Sequence, residues 1–196
     1  NFEYNYNGSS STPFYYFDGQ QSIRSIAFGD SICSIANSFC SDMTNLSSVT
    51  FDGPVTSIGS YAFSGCSSLQ DITIPQGVTA IDSYAFQNCT GLTDIPVHAN
   101  IKTIGSHAFE GCTGFTSCVI PEGVETIAEA AFSKCNITYI SIPHTIKSIH
   151  RQKDYYNNYS SDHSFHACPI DSIYWNANNF EYNYNGSSST PFYYFD

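Results

Sequence analysis

A 23-residue repeat occupies the middle of this chain and restricts the folds open to it. Residues 55–77, 78–100 and 101–123 align without a gap, and each carries an Ala-Phe pair followed three residues later by Cys. Repeats of this length are typical of solenoids, in which each coil buries its apolar side against the next coil. We therefore expect a stack of coils, not a layered globular domain.

The repeat extends in both directions from this central block. Residues 124–145 follow it one residue short, and residues 32–54 precede it in a degenerate form. Two longer coils, with insertions of about eight and eleven residues, complete the series. The predicted coils are residues 1–31, 32–54, 55–77, 78–100, 101–123, 124–145 and 146–178.

A second, longer period encloses the first. The segment Asn1–Asp18 recurs letter for letter as Asn179–Asp196. The second copy starts directly after the seventh coil, which ends at Asn178, so it begins an eighth coil in register. Residues 1–178 are predicted to form one super-repeat and residues 179–196 to start the next. Neither terminal coil has the polar composition of a cap, so we expect the array to continue, by covalent tandem repetition or by stacking of subunits.

One coil shows which side chains face inward. Ile72 and Ile74 alternate with Thr73, which predicts a strand, and Pro75 and Gly77 predict the turn that ends it. Strands of successive coils would then pair in parallel at about 4.8 Å. The inward side chains of residues 55–77 are predicted to be Val55, Ile58, Ala62, Phe63, Cys66, Leu69, Ile72 and Ile74.

The full coil pattern, I-x-x-I-x-x-x-A-F-x-x-C-x-x-L-x-x-I-x-I-P, resembles the leucine-rich repeat of the BspA-like (Treponema pallidum) type. The resemblance covers nearly the whole chain except the two insertions and is most specific in residues 55–145. It implies a mostly β, right-handed solenoid with parallel strands. It also implies an extracellular or cell-surface protein, often linked to adhesion, with no catalytic residues and no cofactor.

Composition excludes several classes of function. The formal charge is −11 with only six Lys and Arg residues, too few for a surface that binds nucleic acid or anionic membrane. No apolar run reaches the roughly 18 residues needed for membrane insertion. The outward strand positions carry neither a Ser-His-Asp group nor a carboxylate pair in an apolar pocket, so we expect no enzyme activity. Those positions are Ser25, Ala27, Ser48, Thr50, Asp71, Thr73, Asp94, Pro96, Ser117, Val119, Tyr139, Ser141, Ser172 and Tyr174.

Cysteine recurs at one position in five successive coils. Neighbours about 5 Å apart would be within disulfide reach, so distance alone does not exclude bridges. Met43 and Gln20 hold the same position in the other two coils, which favours a ladder of free, buried thiols. Cys40 and Cys118 are predicted to lie in the core, whereas Cys33 faces outward and is the candidate reactive thiol. The predicted ladder is Cys66, Cys89, Cys112, Cys135 and Cys168.

Six Asn-x-Ser/Thr sequences indicate a secreted glycoprotein. Asn45, Asn88 and Asn136 fall at one edge of the predicted solenoid, where a line of glycans would keep neighbouring molecules apart. The alternative is that these side chains hydrogen-bond backbone groups in turns. The candidate glycosylation sites are Asn7, Asn45, Asn88, Asn136, Asn158 and Asn185.

The two insertions are rich in aromatic residues and form the most distinctive surface of the sequence. Tyrosines among small polar residues make good contact surfaces, although the insertions could instead fold back over the solenoid edge. The candidate contact residues are Tyr4, Tyr6, Phe14, Tyr15, Tyr155, Tyr156 and Tyr159.

The sequence offers weak metal-binding patterns. His163, His166 and Cys168 have a spacing that zinc can use, but Cys168 already belongs to the cysteine ladder, so we predict no metal site. Asp154, Asp162 and Asp171 do not follow the spacing of a calcium loop.

The sequence therefore predicts a structural repeat unit of an extracellular fibre or long surface array. Its main partner would be itself, through end-to-end continuation of the solenoid. The alternative is a monomeric or surface-anchored adhesin that binds a host protein, a matrix protein or a glycan.

Overall fold

The computed structural model describes residues 20–153 and 159–177. These residues form a mostly β solenoid with parallel strands, as predicted, and contain about five turns, against about seven coils expected for residues 1–178. The elements are the 3-10 helix Gln20–Ser22 and the strands β1 Ser25–Phe28, β2 Ser34–Ile35, β3 Ser48–Phe51, β4 Ser57–Ile58, β5 Ala80–Ile81, β6 Thr103–Ile104, β7 Ser117–Val119, β8 Thr126–Ile127, β9 Tyr139–Ile142, β10 Ser148–Ile149, β11 Arg151–Lys153, β12 Tyr159–His163 and β13 Ser172–Trp175.

One side of the solenoid is a ladder of two-residue strands. β2 pairs with β4, and β10, β8, β6 and β5 form a four-stranded parallel sheet in that order. Each strand ends in an isoleucine that points inward, such as Ile58 and Ile104, both fully buried. The sequence pattern predicted these buried isoleucines but not the strands that carry them.

A second side contains the longer parallel strands, in two separate sheets. β1 pairs with β3, and β13, β9 and β7 form the other sheet. Residues 71–74 and 94–97 lie between them and form no strand, so the strand predicted around Ile72 and Ile74 was wrong. In the β1–β3 pair, Ser48 and Asp52 donate backbone hydrogen bonds to the preceding coil. Pro96 holds the position of Thr50 two coils later and has no N–H, so residues 94–97 lack one donor toward residues 71–74.

The third side is the turn that carries the Ala-Phe pair. The Phe63 amide donates to the Ala85 carbonyl at 2.8 Å, and the bond recurs from Phe86 to Ala108 at 2.8 Å. Every bond of this kind runs from one coil to the following coil, so the stack has a direction. The turn uses left-handed backbone at two positions in each coil of residues 32–145, and the following coil has one such residue, Ala167. The paired residues are Ser38, Asp42, Tyr61, Gly65, Tyr84, Asn88, His107, Gly111, Ala130 and Lys134.

A substitution at Gly111 measures how much stability a side chain loses at a left-handed position of this turn. Its φ is 72°, and a Cβ added there would press against the Asn88 Oδ1 atom. Asn88 and Lys134 adopt the same conformation in their own coils, so we expect Gly111→Ala to fold but to lose about 1 kcal/mol of unfolding free energy. Chemical denaturation measures the loss. Gly29→Ala is the matched control, because nothing lies within 4 Å of the added Cβ.

The core is a set of side-chain ladders that run along the solenoid. All eight side chains predicted to face inward in residues 55–77 are at most 3% exposed. Five phenylalanines stack with ring centroids 5.2–5.5 Å apart and planes within 11° of parallel. This phenylalanine ladder consists of Phe63, Phe86, Phe109, Phe132 and Phe165.

The insertion predicted after Ile149 begins and ends in a strand. β11 pairs with β12 in antiparallel fashion, with Arg151 opposite His163 and Lys153 opposite Tyr159. The solenoid then resumes, since the Phe132 amide donates to the Ser164 carbonyl at 2.7 Å.

Candidate interaction surfaces

The five ladder cysteines are free thiols that share one hydrogen-bonding arrangement. Each Sγ donates to the backbone carbonyl of a core residue in the preceding coil: Cys89 to Phe63 at 3.0 Å, and Cys112 to Phe86 at 3.1 Å. The bond recurs from Cys66, Cys135 and Cys168 at 3.0–3.2 Å. The thiol therefore fills space and also gives a second donor to a core carbonyl, such as that of Phe63, which already accepts a backbone hydrogen bond from Cys66.

Burial suppresses the acidity of the fully buried thiols. It raises the pKa of Cys66 to about 12 and that of Cys112 to about 12. Burial also raises the pKa of Cys40, Cys89 and Cys118 well above the ordinary value. Because the thiolate is the nucleophile, these buried residues are poor targets for oxidation or alkylation.

We expect one fast-reacting thiol in the native protein. Cys33 is exposed, Cys168 is partly exposed and the other six cysteines are buried. Brief treatment with iodoacetamide near neutral pH should label Cys33 first, and peptide mass spectrometry identifies the modified residue. The same reagent after full denaturation should label all eight cysteines. Fast native labelling of Cys89 or Cys112 would contradict the buried arrangement.

An aromatic ladder lies at the left-handed turn position of three successive coils. Tyr61 stacks on Tyr84 with centroids 4.5 Å apart, and Tyr84 stacks on His107 at 4.6 Å, with planes within 4° of parallel. We call these three residues the edge ladder. Burial raises the pKa of Tyr84, and the neighbouring Tyr61 and the Glu110 charge raise it further. The repeat pattern did not predict this ladder, although the three aromatic side chains recur at the same position of successive coils.

Glu110 is the centre of a polar network under the edge ladder. The residue is 8% exposed, and its carboxylate interacts with His107 Nδ1 at 2.9 Å, Gln87 Nε2 at 2.9 Å and Lys134 Nζ at 2.5 Å. Burial pushes its pKa upward, but the hydrogen bonds from Lys134, Gln87 and His107 outweigh burial and leave the pKa below the ordinary value. Through this one carboxylate the network links residues of three successive coils.

The three described sequon asparagines differ in their bonding. Asn45 Nδ2 donates to the Gln21 carbonyl at 2.6 Å, and Asn136 Nδ2 donates to the Thr113 carbonyl at 2.8 Å. These bonds fit the alternative in which the side chain satisfies backbone groups in turns. Asn88 is exposed and has left-handed backbone, with φ 58°. Asn7, Asn158 and Asn185 lie outside the described residues.

The largest exposed hydrophobic side chains of the longer strands share one face. Val119, Tyr139 and Tyr174 are 61%, 37% and 57% exposed. The register of β7, β9 and β13 arranges the outward positions in two rows. We call this surface the outer face. The first row is Ser117, Tyr139 and Ser172, and the second is Val119, Ser141 and Tyr174.

Several predicted residues fall outside what the structure describes. Tyr4, Tyr6, Phe14, Tyr15, Tyr155 and Tyr156 lie beyond the described ranges, and Tyr159 is described only as part of strand β12. Among residues 20–153 and 159–177, no three His, Cys, Asp or Glu side chains group to hold a metal ion. Within the same ranges, no helix combines the length and the hydrophobicity that a membrane span requires.

Three solved structures are similar to this chain. A crystal structure of a leucine-rich repeat protein from T. pallidum aligns with a TM-score of 0.66 and 22% identity over 77% of this chain and 69% of that chain. A leucine rich cell surface protein from Faecalibacterium prausnitzii aligns at 0.44 and 20% identity over 80% and 60% of the two chains. A leucine-rich repeat protein from Bacteroides ovatus aligns at 0.47 and 15% identity over 82% and 57%.

Sequence comparison leads to the family. No curated protein sequence matches the chain. The family model for the BspA type leucine rich repeat region matches six copies, at residues 6–113, 34–160 and 115–187. Those residues take in most of the described solenoid. The chain belongs to the BspA type leucine-rich repeat family.

Proposed function

We propose that this chain is a structural repeat unit of an extracellular fibre or long surface array. The observation that carries the proposal is the recurrence of Asn1–Asp18 as Asn179–Asp196, in register with the coils. A repeat of this kind adds coils at the end of a solenoid without changing the side-chain ladders. The sequons support a secreted, glycosylated location.

The direction of the turn ladder supports end-to-end growth. Phe86 donates to the following coil at Ala108, and Phe109 donates to the coil after that at Ala131, each at 2.8 Å. At this turn each coil donates to the next coil, whereas its strands donate to the preceding coil, as Ser48 does to Arg24, so the two end faces of a stack differ. Two ends of this kind join only head to tail, and a head-to-tail contact that does not close into a ring produces an open filament.

Two measurements test the proposal. Intact mass spectrometry of the native protein should give the mass of several linked copies of residues 1–178, and a mass near one unit would defeat covalent tandem repetition. Electron microscopy of dilute material should show extended filaments. Short dispersed arcs under all conditions would defeat the fibre altogether.

A second candidate is an adhesin that presents the outer face to a host protein, a matrix protein or a glycan. The exposure of Val119 and Tyr174 favours it, because aromatic and aliphatic side chains among serines suit both protein and sugar contacts. Unlike the fibre, this function does not require polymer formation.

A further inference from the structure

The outer face is unusual because it carries no charge in a strongly acidic chain. Its two rows contain serine, tyrosine and valine only, whereas the whole sequence has a formal charge of −11. At the first-row position, the interrupted coils present Asp71 and Asp94, both exposed. Two copies of the molecule repel each other across acidic surfaces, so the outer face is where they can approach with the least repulsion.

The repeat of the sequence would enlarge this face. Residues 179–196 copy residues 1–18, which precede β1 in the first unit. In a continuous array, strand β13 would therefore be followed by β1 and β3 of the next unit. Their outward residues are Ser25, Ala27, Ser48 and Thr50, all exposed and uncharged. The junction between two units would then carry five adjacent strands with uncharged outward residues: β7, β9 and β13, followed by β1 and β3 of the next unit. The coils that present Asp71 and Asp94 would form an acidic sector on either side of these strands.

We propose that this junction face is where a second copy of the array packs, sheet against sheet. The inference rests on the proposed function, since it needs the unit to be repeated. The small serine and alanine side chains allow the spacing of about 10 Å that stacked sheets adopt. Val119, Tyr139 and Tyr174 protrude and would fit against the serine positions of the facing copy. Repulsion between acidic sectors fixes which junctions face each other.

The size of the face predicts how strongly it binds. Five strands at about 4.8 Å and two outward rows give roughly 300 Å² per copy, well below the roughly 800 Å² per partner of a stable complex. A single junction therefore pairs weakly. An array repeats the contact at every unit, and linked weak contacts add up to strong association.

The 196-residue chain carries β7, β9 and β13 side by side, which are three of the five adjacent strands of the proposed junction, and allows a direct test. Amide NMR spectra recorded over increasing protein concentration should show shift changes that concentrate on the six outer-face residues. Val119→Asp and Tyr174→Asp should each abolish those changes, because they add like charge to both facing surfaces. Thr79→Asp is the matched control, since Thr79 is exposed on another side of the coil, and it should leave the changes intact.

The remaining outcomes separate this inference from the proposed function. Spectra that do not change with concentration overturn the pairing. Changes at the first and last coils in place of the outer face also overturn it. If the outer-face residues shift only when a soluble oligosaccharide such as chitohexaose is added, the face binds a sugar and not a second copy of the chain. In electron micrographs, the native array should appear as paired filaments. Long single filaments would overturn the pairing but not the proposed fibre. An intact native mass of one unit would overturn the tandem array itself.

Discussion

Replacing Phe109 with alanine is expected to lower the free energy of unfolding by about 3–5 kcal/mol. The ring is fully buried and stacks on Phe86 at 5.5 Å and on Phe132 at 5.4 Å. A tilted contact with Phe115 at 5.9 Å closes the remaining side. Alanine would leave a cavity in the middle of the phenylalanine ladder that neither neighbouring coil can fill without losing its own stacking. Chemical denaturation of the 196-residue chain measures the loss.

The position of the damage is as informative as its size. In a solenoid each coil contacts only its neighbours, so hydrogen-exchange protection should fall most around residues 86 and 132 and least near β2. Phe109→Leu is the control, because it keeps most of the apolar volume and should lose clearly less stability. A uniform loss of protection from residue 20 to residue 177 would contradict a linear stack of coils.

The second large effect is expected at Glu110. Glu110→Gln keeps the shape of the side chain but removes the charge that accepts from Gln87, His107 and Lys134. Hydrogen bonds to a charged group contribute about 2 kcal/mol together in a partly buried site. Lys134 is largely exposed, with a side chain 63% accessible, so its charge adds little to that figure. Denaturation at neutral pH should show the loss.

The sign of the pH dependence follows from the lowered pKa of Glu110. An ordinary glutamate titrates near pH 4.3, at about that value in the unfolded chain. Its contribution to stability is therefore complete above about pH 4.3 and is lost as the pH falls through the lower folded value. The stability difference between the wild type and Glu110→Gln should shrink over that range. Equal differences at pH 7 and pH 3 would show that the carboxylate charge does not matter.

Asp82 provides a comparison, because its pKa is shifted in the opposite direction to that of Glu110. Burial raises the pKa of this carboxyl, so its ionised form is less favoured in the folded protein than in the unfolded chain. Asp82→Asn should therefore lose no stability at neutral pH, in contrast to Glu110→Gln. Together the two variants compare Glu110, whose ionised form the fold stabilises, with Asp82, whose ionised form the fold disfavours.

The buried half of the molecule was predictable because it depends on spacing and hydrophobicity. Val55, Phe63 and Leu69 each have a counterpart in every coil of the central block, and side chains that recur at equal intervals must fall on the same side of every coil. Strand positions were less predictable, since they depend on which backbone N–H groups find partners. Pro96 removes one donor between residues 94–97 and 71–74, but it does not account for the absence of the strand that the alternation of Ile72 and Ile74 had predicted.

The polar edge was harder to predict for a different reason. Tyr61, Tyr84 and His107 were visible at the repeat spacing, but only the left-handed backbone places their rings in contact. The Glu110 network depends on how long side chains bend over the turn, which residue type and spacing do not determine.

The paired left-handed residues of each turn have a consequence for how such a chain changes length. Every coil from residue 32 to residue 145 turns through the same two positions, so these coils meet their neighbours at equivalent points. Deleting residues 78–100 would bring Phe63 against Phe109 and Cys66 against Cys112, with no ladder out of step. Loss or gain of anything other than whole coils would have to be accommodated as a bulge. Genetic exchange between copies can therefore lengthen or shorten such a gene by whole coils while its product still folds.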